Sequence, residues 1–596
     1  MDNPTQSASM APERLASGWL GIPASPHPRH EDAGKNLDRV LQAGIGRFTG
    51  GISPAAIWMA YVDWIIHLHL SPAKQEELLL DAWNKLGRWN EYGWDLARHA
   101  GQAHDTGVRP LPQDKRFIDP TWQQWPFNVA YQGFLMTQQW WHRATTDISG
   151  VSRHHEDVVT FGARQLLDML SPSNFPITNP VVLHETIRSG GLNFWRGAVN
   201  AINDWKEEIT GKPSEQPYKV GETLAVTPGN VVFRNRLIEL IQYTPTTPTV
   251  HAVPVLFIPA WIMKYYILDL SPHNSLVRYL VGKGYTVFMI SWKNPHANDR
   301  DFSMNDYREL GVMAAVNAIC SITGAPRVSA VGYCLGGTLL SIAAATMARD
   351  GDQRLANMTL FASQVDFKEP GELSLFIDES QVALLESIMW EKGYLDSKQM
   401  AGAFHILRSN DLIWSRRLNQ YLLGRTETVN DLMAWNTDTT RMPYRMHTEY
   451  LRDLFLENKL AEGRYEVSGQ PIALTDIRVP IFSVGTLTDH VAPWRSAYKI
   501  HLLTDTDVTF LLTSGGHNAG VVSPPGHPNR RYQVGTSAHH APYIDPEIWH
   551  ANTPSNEDSW WPEWENWMAA RSGDLVMPPR MGKALCDAPG TYVLQS

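Results

Sequence analysis

Gly332-Tyr333-Cys334-Leu335-Gly336 sets a thiol between two glycines, after an apolar run at 327–331 and before an apolar, helix-like run at 338–345. A sharp strand-to-helix turn lifts one side chain above a sheet edge, and it needs small residues two before and two after for the backbone to close in. Most such turns carry serine; cysteine points instead to thioester chemistry. Attack by Cys334 on a thioester exchanges one thiol leaving group for another of similar stability, so the acyl group stays activated for transfer to an alcohol. An oxygen ester on serine would lose that driving force. On these five residues alone, a buried structural cysteine is the competing reading.

A thiolate nucleophile needs a base, and the base needs a group to orient it. After an elbow of this kind the acid and then the histidine are expected at the carboxyl ends of late strands. Asp489 follows the apolar run 479–484, in Gly485-Thr486-Leu487-Thr488-Asp489-His490, and His517 follows 508–512, in Thr513-Ser514-Gly515-Gly516-His517-Asn518. Asp505 and Asp507 lie close to the acid position, and His490 competes for the base role. The oxyanion is expected to be held by the backbone N–H of Leu335 and by one from the loop after 253–258, around Trp261. The pairs His154/His155 and His539/His540 lack further ligands at metal spacing, and His67 and His69, two apart on a helix, face different sides. No metal and no cofactor are expected.

These residues must be carried by a sheet. Short, largely apolar runs at 231–233, 237–243, 253–258, 285–291, 327–331, 358–361, 479–484 and 508–512 read as buried strands, with a helix at 275–283 completing a βαβ unit. They predict a doubly wound, mostly parallel sheet. The mostly helix-like interval at about 370–475 is too long for a simple crossover and reads as a cap over the site. From about 35 to 210 the pattern is helical, including 72–97 and 127–143. The polar stretch 210–217 marks a boundary, giving domains 1–215 and 216–596. The amphipathic run 55–70 is expected to pack within its own domain.

Composition narrows the class. At 596 residues two domains are the prior expectation, and 43% apolar with 19% charged residues describes a globular chain. A net charge of −10 without a long basic run speaks against nucleic acid as a partner. Three cysteines without C-x-x-C spacing exclude a disulfide framework and fit a reducing compartment. No basic region followed by an apolar run opens the chain, and 55–70 is broken by Asp63, His67 and His69. The expectation is a cytoplasmic protein without a signal peptide or transmembrane segment. The 23 tryptophans, with a cluster at Trp560, Trp561, Trp564 and Trp567, read as core and interface fillers.

Several motifs together resemble the polyhydroxyalkanoate synthases of the single-subunit, class I/II type. Residues 331–337 resemble that family's cysteine-bearing elbow, and 258–270, Ile-Pro-Ala-Trp-Ile-Met-Lys-Tyr-Tyr-Ile-Leu-Asp-Leu, its strand-loop signature. Ser291-Trp292-Lys293-Asn294-Pro295, Ala434-Trp435-Asn436-Thr437-Asp438-Thr439-Thr440, 489–494 and 516–520 are similar to four further motifs, and 47–54 and 171–175 to two in the helical part. Trp261 departs from members with cysteine there, and Met263 from those with asparagine. The resemblance implies an α/β-hydrolase fold with an inserted, mostly helical cap, preceded by an all-helical N-terminal domain. It implies an acyltransferase polymerising (R)-3-hydroxyacyl-CoA with release of CoA. Cys334 would carry the chain, His517 would be general base and Asp489 its orienter, with His490 and Trp435 positioning substrate. It further implies a homodimer at the surface of intracellular polyester granules. A thioesterase or polyester hydrolase with the same three residues, and a non-catalytic granule-coating protein, are the alternatives.

Overall fold

β-branched and aromatic runs bounded by Gly, Pro and polar turns form strands where both sequence faces are apolar, because such strands are covered on both sides. The computed structural model describes residues 30–99, 107–111, 114–210, 217–396, 413–426 and 429–596. Among them one eleven-stranded sheet dominates, with strands β1 (Gly229–Arg234), β2 (Ile238–Tyr243), β3 (Val255–Ile258), β4 (Val287–Trp292), β5 (Val328–Tyr333), β6 (Leu355–Phe361), β7 (Ile481–Thr486), β8 (Val508–Thr513), β9 (Arg531–Ser537), β10 (Ser555–Glu557) and β11 (Cys586–Asp587). Their spatial order is β10-β9-β8-β7-β6-β5-β3-β4-β2-β1-β11. β2, β3, β4, β5, β7 and β8 are buried along their whole length. This is the α/β-hydrolase fold.

The sheet is mixed rather than mostly parallel. The six strands from β4 through β8 pair in parallel, but five of the ten pairings are antiparallel: β11 to β1, β1 to β2, β2 to β4, β8 to β9 and β9 to β10. The outer strands escaped the sequence reading because they lack an apolar run; β9 is Arg-Tyr-Gln-Val-Gly-Thr-Ser and only partly buried. Such edge segments depend on a neighbour for their hydrogen bonds rather than on their own patterning.

Seven α-helices occupy the described residues between 30 and 210. Pro72–Arg98 and Phe127–Thr145 lie where helices were expected. The boundary stretch 211–216 lies outside the described residues. A small core of Val108, Phe117, Trp122, Tyr131, Leu135 and Met136 holds part of this region. The run 55–70 forms the helix Pro54–His69, started by Ser53, and it packs at home only in part. Ala60 and Trp64 are buried, with Trp64 Nε1 donating to Ala144 O at 2.9 Å, while Ile57, Trp58, Met59 and Ile66 stay exposed.

The cap leaves the sheet after β6 and returns at β7; its segment 397–412 lies outside the described residues. Its helix Glu379–Lys392 meets the N-terminal helix His30–Phe48, whose Ala43 packs on Leu384 and Ile388. Two distant parts of the chain thereby close over the carboxyl ends of the parallel strands.

Candidate active site

Cys334 sits between β5 and the helix Leu335–Arg349 with φ 53° and ψ −123°. A non-glycine residue held there stores about 1–3 kcal/mol of strain, which the surroundings must impose. They do so by close backbone approach. A Cβ at Gly332 would run into Gly337 Cα, and one at Gly336 into Ile258 O at the end of β3. Cys334 N donates to Phe361 O at 2.9 Å, and Cys334 O accepts from Gly337 N at 2.9 Å. The N–H of Leu335 opens the helix beside the thiol, where an anion is favoured by the helix dipole.

Asp489 and His517 come together as the topology requires. β7 and β8 are parallel neighbours, and their pairing continues past both ends: Leu487 N donates to Thr513 O at 2.9 Å and Thr488 N to Gly515 O at 3.0 Å. His517 Nδ1 lies 2.7 Å from Asp489 Oδ2. That carboxylate also accepts from Thr486 Oγ1 and from the backbone N–H groups of Val491 and Ala492, each at 2.9 Å. Burial pushes the Asp489 pKa up, but the charge and hydrogen bond of His517 and the two backbone donors outweigh it, leaving the carboxyl below its usual range. Burial likewise works against a charged His517; the Asp489 carboxylate and the Cys334 thiolate overcome it and hold the imidazole well above its ordinary value. Cys334 is thus among the groups that act electrostatically on His517.

Two of the sequence motifs converge on a third, the loop after β3. Trp292 Nε1 donates to Pro259 O at 2.9 Å. From the cap, Thr440 Oγ1 donates to Trp261 O at 2.6 Å, Thr440 N to Ile262 O at 3.1 Å and Trp435 Nε1 to Lys264 O at 2.8 Å. Trp261 and Trp435 are both buried in this seam, and the residue of the loop that faces the thiol's cavity is Ile262. His490 stands at the cap hinge, its carbonyl accepting from Glu372 N at 3.0 Å. The C-terminal tryptophans brace the histidine loop: Trp560 Nε1 donates to Gly520 O at 2.9 Å and Trp561 Nε1 to Val521 O at 3.0 Å.

Cys334 opens into a mostly apolar cavity of about 110 Å³. Leu335, Ile262 and Val491 wall it on the sheet side, and Phe376, Leu385, Met442, His447, Tyr450 and Phe455 on the cap side. His447 and Tyr450 were missed in the sequence. His447 is buried with Nδ1 lacking a hydrogen-bond partner, and burial pushes its pKa down to about 3, so it meets the cavity as a neutral ring. The available signal was the stripe 447, 450, 451, 454, 455, a helical face that is apolar but for its first residue.

Residues 113–280 match the family model described as Poly-beta-hydroxybutyrate polymerase (PhaC) N-terminus, 33–74 match Poly-beta-hydroxybutyrate polymerase N terminal, and 253–524 match the alpha/beta hydrolase fold. The chain is 39% identical over 532 residues to the poly(3-hydroxyalkanoate) polymerase of Methylorubrum extorquens, covering 87% of each. It belongs to the poly(3-hydroxyalkanoate) polymerases. It is also 37% identical to the polymerase subunit PhaC of Rhizobium meliloti, over 84% of this chain and 82% of that one, and 35% identical to that of Cupriavidus necator, over 83% and 84%. The chain is accordingly an enzyme of the polymerase family, with its elbow, acid and histidine on the α/β-hydrolase half.

Proposed function

We propose that this polymerase acts on (R)-3-hydroxyacyl-CoA through a covalent thioester on Cys334. The observation that carries this is the strained cysteine at the wall of a mostly apolar cavity, acting electrostatically on a histidine that Asp489 orients. The Cys334 thiolate attacks the acyl-CoA carbonyl, and the tetrahedral oxyanion is held by Leu335 N–H and an N–H of the loop near Trp261. Collapse breaks the bond to CoA, whose sulfur takes the proton from His517. The 3-hydroxyl of another acyl unit then attacks the Cys334 thioester. His517 removes the hydroxyl proton, the ester bond forms, and the thiolate is released. Asp489 holds the His517 tautomer throughout, while Trp435 and His490 position substrate indirectly, through the loop after β3 and the cap hinge.

The domain division at 215/216 follows the change from helices to strands. A polyester granule surface is the partner that best suits the helical domain, where Phe48, Trp58, Trp83 and Trp195 are 94%, 65%, 71% and 69% exposed. The homodimer and the cytoplasmic, granule-bound location are carried over from the family resemblance. Among the described residues no helix is long and apolar enough to cross a membrane.

The test is incubation with (R)-3-hydroxybutyryl-CoA, following free thiol and insoluble polymer together, with Cys334→Ala as control. Thiol and polymer, both abolished in Cys334→Ala, are expected. Thiol with only free hydroxy acid makes the protein a thioesterase, and an unaffected Cys334→Ala overturns the covalent role.

A further inference from the structure

The wall of the Cys334 cavity is completed from an unexpected part of the chain. Gly50, Gly51 and Ile52, from the turn joining the first two described helices, line it together with the elbow and the cap. Gly51 is buried and has φ 89°, yet a Cβ built on it meets no atom within 4 Å. For a buried residue that open space is the cavity itself. The turn is clamped on both sides by one cap side chain: Gln381 Nε2 donates to Gly51 O at 2.6 Å, and Gln381 Oε1 accepts from Ser53 N at 2.7 Å. Thr49 Oγ1 closes the turn on Ile52 O at 2.6 Å, and Gly51 N donates to Gly46 O at 2.6 Å. A turn held by four hydrogen bonds does not yield easily to a larger occupant.

We infer that this turn, and Ile52 above all, determines which 3-hydroxyacyl side chains the site accepts. The inference rests on the acyl-transfer reading of Cys334. An apolar pocket discriminates between homologous side chains by the space it leaves, about 10–200-fold per methylene. The elbow side of the cavity is committed to chemistry. The turn is free of any such duty and ends in a branched aliphatic side chain. The helical domain therefore contributes to selectivity as part of the site wall, although it supplies none of the proposed reacting groups.

The experiment compares kcat/KM for CoA release from (R)-3-hydroxybutyryl-CoA and (R)-3-hydroxyhexanoyl-CoA in the full chain, Ile52→Ala and Ile52→Phe. Ile52→Ala is expected to raise the hexanoyl-to-butyryl ratio about 10-fold and Ile52→Phe to lower it. Ile52→Val, which removes one methyl group, supplies the same sign if Ile52→Ala does not fold. Folded variants with an unchanged ratio, or with ratios moving in the same direction, overturn the assignment. CoA release from neither substrate by the unaltered chain overturns the acyl-transfer reading and this inference with it.

Discussion

The sheet half and the helical half of this chain spend their apolar residues in opposite ways. Six strands of the sheet are buried end to end, and Trp560, Trp561 and Trp564 lie wholly inside with each indole N–H bonded. The helical half leaves Phe48, Trp58, Trp83, Trp195 and Trp205 in solvent. Reaction geometry must hold to a fraction of an ångström, which dense packing provides. An exposed apolar face has no such task and marks a surface that meets something else. The two halves meet beside the cavity where the Gly50–Ile52 turn is held against the cap by Gln381.

Disturbing the sheet half should produce the largest effects. Gly336→Ala drives a methyl group into the Ile258 carbonyl and cannot be relieved by rotating a side chain, so it is expected to abolish CoA release and lower the melting temperature. Asp489→Asn keeps the shape but loses the charge and the tautomer control. A fall in kcat on the order of 10⁴-fold is expected, measured by thiol release at saturating substrate.

The same variant has a pH signature. The His517 pKa is raised in the fold, so its stabilisation is complete below the ordinary 6.5 and is lost as pH rises through the folded value. The Asp489 pKa is lowered, so its stabilisation is complete above the ordinary 3.8 and is lost as pH falls through the folded value. The melting-temperature gap between the native chain and Asp489→Asn should therefore be widest between pH 3.8 and 6.5 and should close on both sides.

Smaller effects sharpen the contrast from either side. Trp560→Phe leaves the Gly520 carbonyl without its donor and should cost about 1–3 kcal/mol in denaturant unfolding, with a loss of activity through the His517 loop. Trp58→Ser, on the exposed face, should change stability by no more than about 0.5 kcal/mol. It should still weaken adsorption to polyester particles in a pelleting assay. A large loss of stability from Trp58→Ser would mean that this face is closed by packing after all.

The amino-acid sequence by itself determined the elbow, the order of Cys334, Asp489 and His517, and the buried strands that carry them. Those features are local: a Gly-x-Cys-x-Gly turn, apolar runs of four to seven residues, and polar loops at their ends make the same demand wherever they occur. Helices such as Pro72–Arg98 and Phe127–Thr145 were legible for the same reason, through their period. Tertiary structure alone decided how partners were chosen. β9, β10 and β11 carry no periodic signal and exist because an existing edge offered them hydrogen bonds. Trp261 and Trp435 became seam residues, leaving Ile262, His447 and Tyr450 to face the thiol. Gly51 and Ile52 reached a cavity centred nearly 300 positions away. A side chain's neighbours across such distances follow from the summed packing of many elements, and no window of sequence contains that sum.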